Sequence, residues 1–171
     1  MPTHSSDEHI EYQNPWFRVV REGAYHYVDE PGAQAGAAVL PLVGDTVWLL
    51  EMRRPAQQGA VTWEIPRGYG EAHETSQQCA LRELREETGL LAAPAQLTRL
   101  GKVRPNTAIL TSCIDIYLAK LPSNHPPHSR DREAERIVKI PIKALPRELA
   151  QGKLEDSFTL AALSFYWATL R

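Results

Sequence analysis

The stretch Gly68-Tyr69-Gly70-Glu71-Ala72-His73-Glu74-Thr75-Ser76-Gln77-Gln78-Cys79-Ala80-Leu81-Arg82-Glu83-Leu84-Arg85-Glu86-Glu87-Thr88-Gly89-Leu90 decides how this chain reads. Its fixed positions follow G-x5-E-x7-R-E-U-x-E-E-x-G-U, with U apolar, and every one is filled. Thr75 followed three residues on by Gln78 is a capping box, which satisfies two otherwise free N–H groups at a helix start. Residues 76–88 contain no Gly or Pro and are rich in helix formers, and Gly89 supplies a left-handed stop. Ala80, Leu81, Leu84 and Thr88 recur at helical spacing and predict a face turned to a core. Glu83 and Glu87 are four apart and stand one turn apart on the same side. Glu86 joins that face, and Arg82, four residues before it, can pair with it.

Carboxylates on one arc repel, at about 0.2–0.5 kcal/mol for each i,i+4 pair. An acidic helix on its own is usually a solvated face, here laced by Arg82 and Arg85. The glycine loop at the head of the pattern changes that reading. A divalent cation would turn the repulsion into binding, and hard cations such as Mg²⁺ take carboxylate and carbonyl oxygens together with water and substrate phosphates. The expected chemistry is metal-dependent hydrolysis of a phosphoanhydride. Attack on phosphorus needs a water that loses its proton and a counter-charge for the phosphate oxygens, and bound metal ions supply both.

Outward from this stretch the chain reads as one α+β unit over residues 1–171, with residues 1–30 as an N-terminal tail and hairpin extension. Residues 1–14 are polar and read as a mobile tail. Strands are expected at 16–21 and 24–29 around Glu22-Gly23, at 33–42 and 46–53 around Gly44-Asp45, and at 61–65 leading into the glycine loop. Beyond the helix, strands are expected at 97–103, 111–119 and 137–140. In the second of these, Ile114, Ile116 and Leu118 alternate with Cys113, Asp115 and Tyr117. Residues 121–131 form a loop rich in Pro, Ser and His, and 143–151 and 157–170 are expected helices, the latter capped by Asp156.

Composition bounds the function. The 171 residues, 43% hydrophobic and 23% charged with a net charge of −2, suit one globular enzyme. Basic residues are scattered, so no nucleic-acid surface is expected, and no apolar run is long enough to span a membrane. The N-terminus lacks the pattern of a signal peptide, and two separated cysteines, Cys79 and Cys113, suit a reducing cytoplasm.

The stretch 68–90 resembles the signature box of the Nudix hydrolases, and weaker likeness runs through most of the chain. The resemblance implies a Nudix α/β/α sandwich around a mixed central sheet, with an N-terminal antiparallel hairpin extension. It implies cleavage of a nucleoside diphosphate linked to another group, with Mg²⁺ or Mn²⁺ as cofactor. Gly68 through its carbonyl, Glu83, Glu86 and Glu87 are the implied metal ligands, and Glu74 supports the loop.

Outside the box the chain is similar to the ADP-ribose pyrophosphatase branch. Asn14-Pro15-Trp16-Phe17 resembles the start of its N-terminal subdomain, and Trp63-Glu64-Ile65-Pro66 resembles its entry to the glycine loop. Arg53, Glu64, Arg67 and Pro105 are the implied substrate-binding residues. An acidic loop before the last strand implies a further carboxylate, Glu135 first and Glu133 second. Arg67 in place of a small residue, Ala72-His73 in place of Pro-Gly, and Glu51 in place of Gln depart from the branch. The small-molecule partner expected is a nucleoside diphosphate sugar, ADP-ribose first, and the aromatic N-terminal hairpin implies a homodimer. Two other readings compete: a hydrolase of dinucleoside polyphosphates or RNA 5′ ends, which calls for a basic channel, and a non-catalytic nucleotide sensor, which would lose box carboxylates.

Overall fold

Near the N-terminus the chain folds as a three-stranded antiparallel sheet. In the computed structural model, residues 8–170 are described. Strand β1 (Glu8–Gln13) pairs with β2 (Arg18–Glu22), and β2 pairs with β3 (Tyr25–Asp29). The tail expected over residues 1–14 is thus a strand from Glu8 onward, while residues 1–7 lie outside the described residues. Backbone pairing with β2 provides the ladder that polar composition does not reveal. Asn14 turns the chain by accepting from the Trp16 and Phe17 N–H groups, each at 2.8 Å. Strand β3 then docks on the body of the protein, where the Val28 N–H donates to the Ile109 carbonyl at 2.7 Å and the Thr111 N–H donates to the Val28 carbonyl at 3.0 Å.

A mixed sheet forms the body. Strand β4 (Ala37–Val43) lies parallel to β9 (Ile114–Leu121), and β9 pairs antiparallel with β8 (Leu97–Val103). Strand β5 (Thr46–Arg53) pairs antiparallel with β10 (Arg136–Pro141) on its other side. The tip of the β4–β5 hairpin is paired only through Leu42–Val47 and Val43–Thr46. Beyond it the two strands separate, and two short strands fill the fork. These are β6 (Val61–Glu64), paired to β5, and β7 (Arg67–Gly68), paired to β4. The glycine loop therefore begins with two residues of ladder. Strand β4 also starts later than expected, since Pro31–Gln34 forms a short 3₁₀ turn ahead of it.

Both faces of the sheet are covered. Helix α1 (Ser76–Thr88) packs Cys79, Ala80 and Leu84 against Ala37, Val39, Trp48 and Tyr117. Helix α3 (Ser157–Ala168) packs Ala162 and Leu163 against Ala38, Leu40, Ile116 and Leu118, with Leu145 of α2 (Leu145–Ala150) in the same cluster. The alternation expected on β9 is real in direction, but Tyr117 and Ala119 are buried as well, because α1 covers the face that alternation alone would leave to solvent. The result is the α/β/α sandwich that the resemblance implied.

Helix α1 is held as its sequence dictates. Thr75 and Gln78 form both arms of the capping box, and Gly89 ends the helix at φ +74° with its N–H donating to the Arg85 carbonyl at 2.9 Å.

Candidate active site

The fork in the sheet brings three things together: the β6–β7 connection, the inner face of α1 and the N-terminus of α3. The Ile65 N–H donates to Thr159 Oγ1 at 3.0 Å, and the Val39 N–H donates to the Pro66 carbonyl at 2.9 Å, so this connection is fixed from both sides. Gly68 then passes directly beneath Glu83. A Cβ at position 68 would overlap the Glu83 carboxylate, which is why the position takes glycine.

Glu83 and Glu87 are buried carboxylates, 8% and 4% exposed. Arg67 donates its backbone N–H to Glu87 Oε2 at 2.9 Å. Burial pushes the Glu87 carboxyl up to about 8, and Glu83 nearby adds to the rise, against the Arg67 N–H. Burial also raises Glu83, although Arg82 opposes it. Arg82 is the hub of the cluster. It donates to Glu83 at 2.5 Å, Glu86 at 3.2 Å, Glu74 at 3.1 Å and the Tyr69 carbonyl at 2.8 Å. Glu74 is held below the ordinary carboxylate range by that arginine and accepts from the Glu71 N–H at 2.9 Å, so it braces the loop.

Beside Gly68 opens a cavity of about 340 Å³, lined among others by Arg54, Arg67, Tyr69, Pro105, Glu133 and Phe158. Glu64, 3% exposed, pairs with two of the lining residues, Arg54 and Arg67. Burial pushes its pKa up, but hydrogen bonds from Arg54 and Thr62 and the charge of Arg67 outweigh burial and bring it below the usual value. Arg67 lines the cavity. Its guanidinium lies 4.8 Å from the Phe158 ring centroid, donates to Glu64 at 2.9 Å and to Asp156 at 3.4 Å, and leaves its Nε buried without a partner.

Not every residue read from the sequence faces this cavity. Gly68, Arg67 and Pro105 line it, and Glu64 supports it. Arg53 does not: its Nε donates to Glu135 at 2.8 Å and its Nη1 to the Gly59 carbonyl at 2.9 Å, both outside the lining. Its neighbour Arg54 enters instead, donating to Glu64 at 3.0 Å and to Glu133 at 2.6 Å. Of the two loop carboxylates, Glu133 lies on the cavity and Glu135 is turned to Arg53. Strand parity carries the signal that selects Arg54. Counting by twos from Leu50 and Met52, which pack on Ala134 beside Glu133, reaches Arg54 rather than Arg53. Tyr69 and Phe158 were missed too, and no local pattern marks Phe158, because only tertiary packing brings α3 to the cavity.

Among the described residues, no three His, Cys, Asp or Glu side chains converge as a finished metal cage. The donor set nonetheless fits a hard cation. The Gly68 backbone runs so close to the Glu83 carboxylate that a Cβ there would overlap it, and Glu87 is a buried carboxyl that an added positive charge would ionise. Magnesium sites of this kind use one or two carboxylates and complete their shell with water and phosphate.

The NUDIX domain model matches residues 32–159 of the chain. An uncharacterized Nudix hydrolase of Schizosaccharomyces pombe is 30% identical over 116 residues, which are 65% of this chain and 55% of that protein. MutT4 of Mycobacterium tuberculosis (strain CDC 1551 / Oshkosh) is 29% identical over 101 residues, 57% of this chain and 40% of that protein. The chain thus spans about half the length of the curated relatives it matches. The crystal structure of an ADP compounds hydrolase shares the fold with a TM-score of 0.78 at 20% identity, covering 96% of this chain and 92% of that one. With the domain match running from the 3₁₀ turn before β4 to the first turn of α3, the chain belongs to the Nudix family.

Proposed function

We propose that the protein is a Mg²⁺-dependent pyrophosphohydrolase of nucleoside diphosphate sugars, with ADP-ribose as first substrate. The observation that carries this reading is the position of the two-arginine cavity directly beside the Gly68–Glu83–Glu87 cluster. Arginine forks suit a diphosphate. A cavity of about 340 Å³ falls within the range of small-ligand sites. The fold shared with an ADP compounds hydrolase agrees with this choice.

In the reaction, water adds to one phosphorus, the bridging P–O bond breaks, and a nucleoside monophosphate, a sugar phosphate and a proton are released. Glu83, Glu87 and the Gly68 carbonyl would hold the cation, with Glu86 assisting. A divalent cation there lowers the pKa of bound water and offsets charge on the phosphate oxygens. Arg82 fixes the carboxylates of α1, and the Arg67 N–H orients Glu87. Arg54 and Arg67 receive the diphosphate, and Glu133, on the cavity wall, accepts the proton of the attacking water.

We place this activity in the cytoplasm, in keeping with two free cysteines. We assign a homodimer built on the N-terminal sheet. Tyr12 and Tyr25 on that sheet and Trp16 in its β1–β2 turn are 54%, 79% and 65% exposed, a surface suited to a second copy. Side-by-side assays with Mg²⁺ of ADP-ribose, other sugar nucleotides, diadenosine polyphosphates, nucleoside triphosphates and 5′-triphosphorylated RNA test the substrate. Preference for triphosphates or RNA refutes it, and a monomer mass by light scattering at micromolar concentration refutes the dimer.

A further inference from the structure

Arg54 is anchored on one side and lightly held on the other. Its Nε and Nη2 donate to Glu64 Oε2 at 3.3 and 3.0 Å, and Glu64 has 4% of its side chain exposed. Its Nη1 donates at 2.6 Å to Glu133, whose side chain is 53% exposed. A buried carboxylate cannot release its cation without a large desolvation cost, whereas an exposed one exchanges it for water at little loss.

The backbone around Glu133 is pinned. Ahead of it, the Asp131 N–H donates to the Glu86 carbonyl at 2.7 Å, and Asp131 Oδ1 accepts from the Glu133 N–H at 3.1 Å. Behind it, Ala134 is 3% exposed in a cluster with Leu50 and Met52, and the Glu135 N–H donates to the Glu51 carbonyl at 3.0 Å. Arg130 closes the turn from within, donating to the Asp131 and Ala134 carbonyls at 3.1 Å each. What can move is therefore the Glu133 side chain, by rotamer change, and not the loop.

We propose that Glu133 occupies, in the ligand-free protein, the anion-binding edge of Arg54, and that an incoming diphosphate displaces it. Arg54 stays on Glu64 and turns its freed Nη1 to a phosphate oxygen. The released Glu133 carboxylate is left on the cavity wall, beside the bound diphosphate. Arg54 is thus a substrate-binding residue and also a positioning residue, since the same contact that holds the diphosphate makes Glu133 available. This inference rests on the proposed function for the identity of the diphosphate, but the exchange itself is a binding event.

The test is calorimetric titration of the full chain with α,β-methylene-ADP, in EDTA so that only the protein's own cations bind the probe. Removing the resident carboxylate by Glu133→Gln should tighten binding about three- to tenfold, as loss of a competing ion pair and of like-charge repulsion. Glu135→Gln removes the same charge from the same loop, outside the cavity, and should leave the affinity within about twofold, since exposed rim charges act weakly. Unchanged or weaker binding by Glu133→Gln, an equal gain by Glu135→Gln, or no binding by either the native chain or Glu133→Gln at millimolar probe overturns the exchange. Turnover of Glu133→Gln with ADP-ribose and Mg²⁺ is a separate readout. Full turnover removes the proton-accepting role from Glu133, while tighter binding of the probe still upholds the exchange.

Discussion

Glu87→Gln separates what the buried carboxyl costs the fold from what it gives the site. Burial sets the Glu87 carboxyl at about 8 in the folded chain, against 4.5 for an ordinary glutamate. The folded state therefore binds this proton more tightly than the unfolded state. The stabilisation is complete below pH 4.5 and is lost as pH rises toward 8. Between pH 6 and 8.5 the loss integrates to about 2–3 kcal/mol at 1.36 kcal/mol per unit. For a chain of this size that is a melting temperature lower by roughly 5–10 °C. Glutamine copies the neutral acid in shape and can still accept from the Arg67 N–H, so the variant escapes the loss.

The window is chosen to isolate the group. Glu64, Glu74 and Asp115 are held below their ordinary values, so their contributions fade only in acid. The Cys79 thiol, raised by burial to about 11, matters only above pH 9. Glu83 is raised as well and remains in the variant, so a residual slope is expected. In EDTA, differential scanning fluorimetry should show the native chain melting lower at pH 8.5 than at pH 6, and Glu87→Gln losing at least half of that difference. Added Mg²⁺ should stabilise the native chain at pH 8.5 and leave the variant nearly unmoved. An unchanged pH slope in the variant, or a flat profile in the native chain, refutes the account of Glu87 as a carboxyl whose proton is held by burial.

Further outcomes follow from the same geometry. Glu83→Gln with Glu87→Gln should lower turnover by orders of magnitude, since loss of metal-polarised water costs several kcal/mol of transition-state stabilisation, while circular dichroism stays native. Gly68→Ala drives a methyl into the Glu83 carboxylate and should cut turnover at least tenfold, read as kcat against a preserved melting curve. Leu84→Ala empties a fully buried site between α1 and the sheet and should cost about 2–5 kcal/mol in urea unfolding. Thr75→Ala removes one arm of the capping box and should cost about 1 kcal/mol in the same assay.

The parts of the molecule legible in the sequence are those governed by local rules. The bounds of α1, its cap and its stop rest on Thr75, Gln78 and Gly89, each of which acts within a few residues of itself. Strand β1 was not legible, because Glu8–Gln13 is ordered by pairing with β2 and its composition is that of a loop. The burial of Tyr117 and Ala119 was not legible either, since it depends on α1 reaching the sheet from another part of the chain.

The site divides along the same line. The carboxylates of α1 could be assigned to one face because a helix fixes the angle between residues three and four apart. The choice between Arg53 and Arg54 turned on a strand, where one residue reverses the face. Resemblance favoured Arg53, but β5 sends that side chain to Glu135 and Gly59, and its successor to the cavity. The two loop carboxylates stand two residues apart on either side of Ala134, which packs inward on Leu50 and Met52, and they pair with different arginines. With Met52 and Ala134 seated in a common core, Arg54 meets Glu133 and Arg53 meets Glu135. Replacing Ala134 with a larger residue should therefore disturb both ion pairs together, and the affinity for a diphosphate with them.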